Sequence, residues 1–338
     1  MGPPTAVGLR ARPLALLALL AASPARAYET DQITDRGEAL QDVAPSADAE
    51  MDRMIAEAVE RTNRRTGCQA DLDRTKRVLA RQIYRVTSRD VMVWRRGLTR
   101  APGFGAYAKW METAPIDRRP FAHREDIYGE LTFFDAVILN LAGPCSTFRV
   151  NGVLLGSDKL DHFFDEGFAY WQRSRFGTHP HRGVRYGTNR ENSVFGLMTS
   201  RAFSYADLKA NYDGYRFYLG LLGPGSVVRM GEDGCVYHTR SWDWGQWVDW
   251  RYDELLDPSV YVPRVERRVE ETLEDHRAEV CADMTTWAPD GLASIRAAHP
   301  LESEAPWIGT KAPPRVEPFD LDALCGTDTP KRGASSKE

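Results

Sequence analysis

Apolar residues recur at helical spacing along most of the chain. Ser46 caps a helix predicted to run to about Arg65, with Met51, Met54, Ile55, Ala58 and Val59 on one stripe and Gly67 as its stop. A second amphipathic helix carries Leu72, Val78, Leu79, Ile83 and Val86. Gly and Pro break the stretch 102–120 and leave a short helix around Tyr107–Met111, and the apolar run 127–142 reads as a buried helix. The pattern then changes period. Phe148-Arg149-Val150 and Val153-Leu154-Leu155 flank Asn151-Gly152, a pair that tolerates the positive φ angles of a tight hairpin turn.

Ser157 caps the next helix, which runs to about Arg173 and is followed by a basic loop. Ser204 with Asp207 three residues on forms a capping box for a helix that ends at Leu222, before Gly223-Pro224-Gly225. A second hairpin (Val227-Val228 with Cys235-Val236-Tyr237), a Trp-rich stretch and a charged helix over 263–283 complete the pattern. The predicted fold class is mainly α, an α+β arrangement with small β-hairpins. It is an irregular helical bundle forming one large domain over 28–287, with the site region within 148–222. The Pro-rich extension 288–338 follows, its last dozen residues expected to be disordered.

The first 27 residues have the order of a secretory signal: Arg10 and Arg12, an apolar core from Leu14 to Ala22, and an Ala25-Arg26-Ala27 cleavage site. Cleavage before Tyr28 would take the basic residues from 44 to 41 against 48 acidic ones, a net charge of −7, so the mature chain is expected to be soluble and mildly acidic, in the periplasm or outside the cell. That charge excludes the global basic field that nucleic-acid binding needs, and no later run is long enough to cross a bilayer. All five cysteines (Cys68, Cys145, Cys235, Cys281, Cys325) lie in the exported part. In an oxidising compartment they form at most two disulfides, with the pairing open and one thiol left over.

Candidate chemistry centres on the helix over 157–172. Leu160, Phe163, Phe164, Gly167, Phe168 and Trp171 share one side, and Asp158, His162 and Asp165 the other, flanked by Asp161 and Glu166. Asp158, His162 and Glu166 stand at i, i+4 and i+8, near enough to share a ligand or a proton. Such a row suits a divalent metal such as Zn²⁺, with Asp158 and His162 as ligands, or a general base at His162 oriented by its acids. The plain alternative is a solvated helix face. In the basic loop, Arg182 and Arg185 are candidate anion contacts unless the arginines pair with Asp161, Asp165 and Glu166, and His179 and His181 are candidates to complete a metal site. Glu191, Asp207 and Asn211 approach His162 only if the two helices pack together. The indoles of Trp242, Trp244, Trp247 and Trp250 read first as core and second as a glycan platform.

Gly156-Ser157-Asp158-Lys159-Leu160-Asp161-His162-Phe163, with Ser204-Tyr205-Ala206-Asp207-Leu208-Lys209-Ala210-Asn211, resembles a family of exported bacterial proteins with no assigned reaction. Glu191-Asn192-Ser193, Gly196-Leu197-Met198 and the segment from Asn211 to Tyr218 are similar to lytic transglycosylases, although Thr199 stands in place of a Gln, Asn192 intervenes and Glu191 lies too close to Gly196-Leu197-Met198. That resemblance implies Glu191 as a catalytic acid and keeps envelope glycan among the candidate partners. The leading expectation is an exported cell-envelope protein, a hydrolase of an envelope polymer or phosphorylated ligand. Its catalytic residues would be His162, Glu166 and Glu191, and its substrate contacts Arg182, Arg185 and Asn211. The rival is a non-catalytic binding or structural protein. P-loop, G-x-G-x-x-G, G-x-S-x-G and H-E-x-x-H motifs are missing from the sequence.

Overall fold

The computed structural model describes residues 29–34, 36–69, 71–88, 105–120, 126–129, 131, 145–193, 196–197, 201–287, 306–313 and 324–325. Helix α1 (Ala44–Thr66) buries Ala47, Met51, Met54, Ile55, Ala58 and Val59 along the predicted stripe and ends at Gly67, whose φ of 63° suits a residue without a Cβ. It begins two residues before Ser46, because Pro45 in the first turn already supplies the helical φ and needs no donor there. Helix α2 (Leu72–Thr87) is capped by Asp71, which accepts from the Arg74 N–H at 3.0 Å, and packs along α1. Helix α3 (Ala106–Thr113) adds Tyr107 and Met111 to the same core. The apolar run 127–142 falls largely outside the described residues.

Strands β1 (Thr147–Val150) and β2 (Val153–Gly156) form the predicted hairpin, with Asn151 at φ 50° and Gly152 at φ 79° in its turn. Helix α4 (Ser157–Asp161) passes into a π-helical turn, His162–Glu166, and then α5 (Gly167–Arg173). The predicted basic loop is largely helix α6 (Pro180–Glu191), opened by Pro180 in its first turn. Strand β3 (Ala202–Phe203) leads into α7 (Tyr205–Gly220), capped by Ser204 as predicted. Strands β4 (Val228–Met230) and β5 (Val236–His238) make the second hairpin, and β6 (Val260–Tyr261) pairs with β3. The charged segment is two helices, α8 (Pro263–Asp275) and α9 (Arg277–Trp287), interrupted at His276.

The fold is mainly α with small antiparallel strand pairs. Its centre is aromatic: Phe163 lies 5.2 Å from Trp244, and Phe217 lies 5.2 Å from Trp242. The Trp244 indole N–H donates to the Tyr107 hydroxyl at 2.7 Å, so this buried donor is satisfied. Trp242, Trp244 and Trp250 are thus core residues. Cys68–Cys235 ties the β4–β5 hairpin to the end of α1, Cys281–Cys325 ties the C-terminal extension to α9, and Cys145 is a buried thiol. Part of that extension is also docked on the body: Trp307 packs with Phe203, Tyr205 and Leu208, and the Gly309 N–H donates to Thr188 at 2.9 Å. Among the described residues no helix is long and apolar enough to cross a membrane.

Two glycines bring the π turn and α5 against α7. A Cβ on Gly214 would overlap the Phe163 carbonyl, and one on Gly167 would press on the Gly214 backbone. The Tyr218 hydroxyl donates to the Phe164 carbonyl at 3.0 Å across the same crossing. Substituting Gly214→Ala is expected to cost about 1–3 kcal/mol of stability through overpacking, read as a lowered urea midpoint with an unchanged slope. An unshifted midpoint would mean that the crossing is not tight.

Candidate metal centre

The close crossing decides which polar groups meet. Its first consequence is the environment of Lys159. This residue sits in the first turn of α4, straight after β2, with its side chain fully buried. Its Nζ lies 2.6 Å from Asp158 Oδ2, 2.8 Å from Asp207 Oδ1 and 2.8 Å from Glu254 Oε1, one carboxylate for each ammonium N–H. Burial opposes the charge, but those carboxylates outweigh it and raise Lys159 well above the ordinary lysine value. Residues 29–34 lie buried beside this cluster. Thr30 hydrogen-bonds Asp158, and the Gln32 side chain accepts from the Glu254 N–H.

His162 begins the π turn and is 3 % exposed. Its Nδ1 is 3.0 Å from Asn211 Oδ1, an acceptor on α7, so this contact places a proton on Nδ1 and turns the Nε2 lone pair the other way. The Asn211 amide also reaches toward the Tyr170 hydroxyl at 3.5 Å, consistent with that orientation. Nε2 has no hydrogen-bond partner. The nearest acid is Asp207, with Oδ2 at 3.4 Å. Glu191, the last residue of α6, is 2 % exposed, and its Oε2 is likewise unpartnered. One ligand atom from each of His162, Glu191 and Asp207 lies within 4.8 Å of the others. Zinc bonds of about 2.0–2.2 Å would close that spacing after small side-chain movements.

Two carboxylates and an imidazole lone pair facing one another repel unless a cation or protons stand between them. The acids report that strain. Burial, then the charge of Asp207, raises Glu191 well above the ordinary carboxyl range. Burial with Asp207 and Glu254 does the same to Glu29, and burial pushes Glu254 to about 7 against the pull of Lys159. Asp161, beside His162, is also pushed to about 7, chiefly by burial.

The structure therefore brings together His162, Glu191, Asp207 and Asn211, which the sequence allows to meet only if the two helices pack, Asp207 also keeping its place in the Ser204 cap. The row Asp158–His162–Glu166 is split. Asp158 is engaged by Lys159 and Thr30, and Glu166 is buried with Arg190 Nη2 at 3.4 Å. The π turn begins at His162 and, by adding a residue to the turn, takes Glu166 out of line, whereas Asp158 to His162 is regular helix and Asp158 is drawn off by Lys159 and Thr30. Asp158 falls in a second cluster of ligand atoms, with Glu29 and Asp207, which shares Asp207 with the His162 set.

Arg182 is half-buried and Arg185 exposed, both on α6, and the arginine that reaches the acidic helix is Arg190. His179 and His181 lie at the start of α6, roughly 15 Å or more along the helix from Glu191, and do not complete the set. Lys159, Glu254 and Glu29 carry no sign of this role in the sequence pattern. One signal was present: α7 is buried nearly all round yet carries Asp207, Lys209, Asn211 and Asp213, and buried polar residues require partners. Comparison with family models, with curated proteins and with solved structures finds no match to this chain.

Proposed function

We propose that this chain is an exported protein of the bacterial cell envelope that binds a divalent cation, best matched by zinc, at His162, Glu191 and Asp207. The observation that carries the reading is the convergence of three buried ligand atoms, with His162 Nε2 unpartnered and its other ring nitrogen held by Asn211. An outer partner on the second nitrogen is the usual way a protein fixes the tautomer of a metal-ligating histidine. The mixed nitrogen and oxygen donor set suits zinc better than magnesium or calcium, which prefer oxygen alone. Two disulfides and the signal-like N-terminus support export.

The non-catalytic role is preferred because His162, Glu191 and Asp207 are all buried, whereas a hydrolase must admit its substrate to the reacting groups. Hydrolysis of an envelope polymer or a phosphorylated ligand is the second reading. It is supported by Glu191, whose raised carboxyl would serve as a general acid. Elemental analysis of the purified full chain separates these readings. About one zinc per chain is expected in the wild type, with a loss of at least about tenfold in affinity for His162→Ala and Glu191→Gln, the scale of effect seen when even outer partners are lost. Wild-type protein free of any divalent metal after reconstitution would overturn the proposal. Turnover of cell-wall glycan or a phosphoester that disappears in His162→Ala would favour the hydrolase.

A further inference from the structure

Asp207 divides its carboxylate between two neighbours. Oδ1 is 2.8 Å from Lys159 Nζ, and Oδ2 is 3.4 Å from His162 Nε2. The His162 side holds unpartnered ligand atoms. The Lys159 side is also a cage of acids: Glu29, Asp158 and Asp207 place one oxygen each within 4.8 Å of the others, and Glu254 adds another 2.8 Å from the ammonium. Such an all-oxygen surrounding is what a hard divalent cation occupies. Here an ammonium holds three of those acids, Asp158, Asp207 and Glu254.

A carboxylate shared between two cation positions is also how paired-metal sites hold their ions, about 3.5–4 Å apart. Charge points the same way. Five buried carboxylates (Glu29, Asp158, Glu191, Asp207, Glu254) surround one lysine and one histidine, so the acids that Lys159 does not hold must either share a second cation or keep protons.

We infer that this assembly is a two-cation centre in which one cation is a divalent ion at His162, Glu191 and Asp207, and the other is the chain's own Lys159 ammonium. Lys159 is a positioning residue: it holds Asp207 by one oxygen, presents the other to the metal, and limits the protein to a single ion. The inference rests on the cation-binding reading above.

Zinc titration into the full chain, first stripped with chelator, tests it. The wild type should take up about one equivalent and Lys159→Ala about two, because the vacated cage offers the second position of a paired site. A Lys159→Ala chain that binds one equivalent with unchanged Kd overturns the inference. Since that variant leaves several acids unpaired and is at risk of not folding, a wild-type measurement decides independently. In ¹⁵N-lysine-labelled protein, the protected Lys159 ammonium resonance should shift in step with the first equivalent of zinc. Zinc binding without that shift also overturns it. If the wild type binds no zinc, the cation-binding reading itself falls, a result distinguishable from either of these.

Discussion

Replacing Lys159 with Met is expected to destabilise the metal-free protein by about 3–5 kcal/mol at about pH 7.5, the scale of breaking one side of a buried ion pair. The side chain is fully buried, and its loss strands Asp158, Asp207 and Glu254 at once. The deficit should depend on pH in one direction. Burial already pushes Glu254 from 4.5 to about 7 in the folded protein. A raised carboxyl costs stability as pH climbs from its unfolded value toward its folded one, and costs nothing below both. Without the ammonium, which holds it down, Glu254 rises further. Urea unfolding at about pH 4.5 should therefore show a much smaller gap between variant and wild type than at about pH 7.5. An equal gap at both values would mean that Lys159 contributes by packing alone.

A comparable loss, about 3–5 kcal/mol, is expected for Arg36→Met. Arg36 is 1 % exposed and joins the N-terminal segment to the far end of the chain. Its guanidinium meets Asp253 at 2.6 and 3.0 Å, and its Nε lies 3.0 Å from Asp283. Removing it leaves Asp253 buried without its cation and loosens the segment that delivers Glu29 and Thr30 to the Lys159 cluster. The exposed pair Arg64–Glu60, 2.5 Å apart on α1, is the control: Arg64→Ala should leave the unfolding midpoint close to wild type, since solvent screens that pair. Similar losses for the two variants would show that burial does not set the strength of these ion pairs.

Much of the local structure was legible because it has local causes. The α1 stripe and its Gly67 stop, the Asn151-Gly152 turn and the Ser204 cap each depend on residues within one or two turns of one another. The basic stretch reads as a loop, although it is helix α6, because Gly183 and Gly187 weaken the helical signal. Those glycines are demanded by packing, since a Cβ at either position would collide with Tyr170. The π turn is invisible in the sequence because it leaves no mark on the spacing of apolar residues.

The candidate centre divides along the same line. The amino-acid order by itself determined that His162 stands among acids on an aromatic helix, that Asp207 and Asn211 share a second helix one turn apart, and that Glu191 lies between the two. Only the tertiary structure decided that these groups face one another, through the Gly167–Gly214 crossing, and that Lys159, Glu254 and Glu29 complete the charge around them. Helix periodicity records which side of a segment is apolar. The pairing of buried charges is a contact between segments as far apart as Arg36 and Asp283, about 247 residues, and is set by three-dimensional packing.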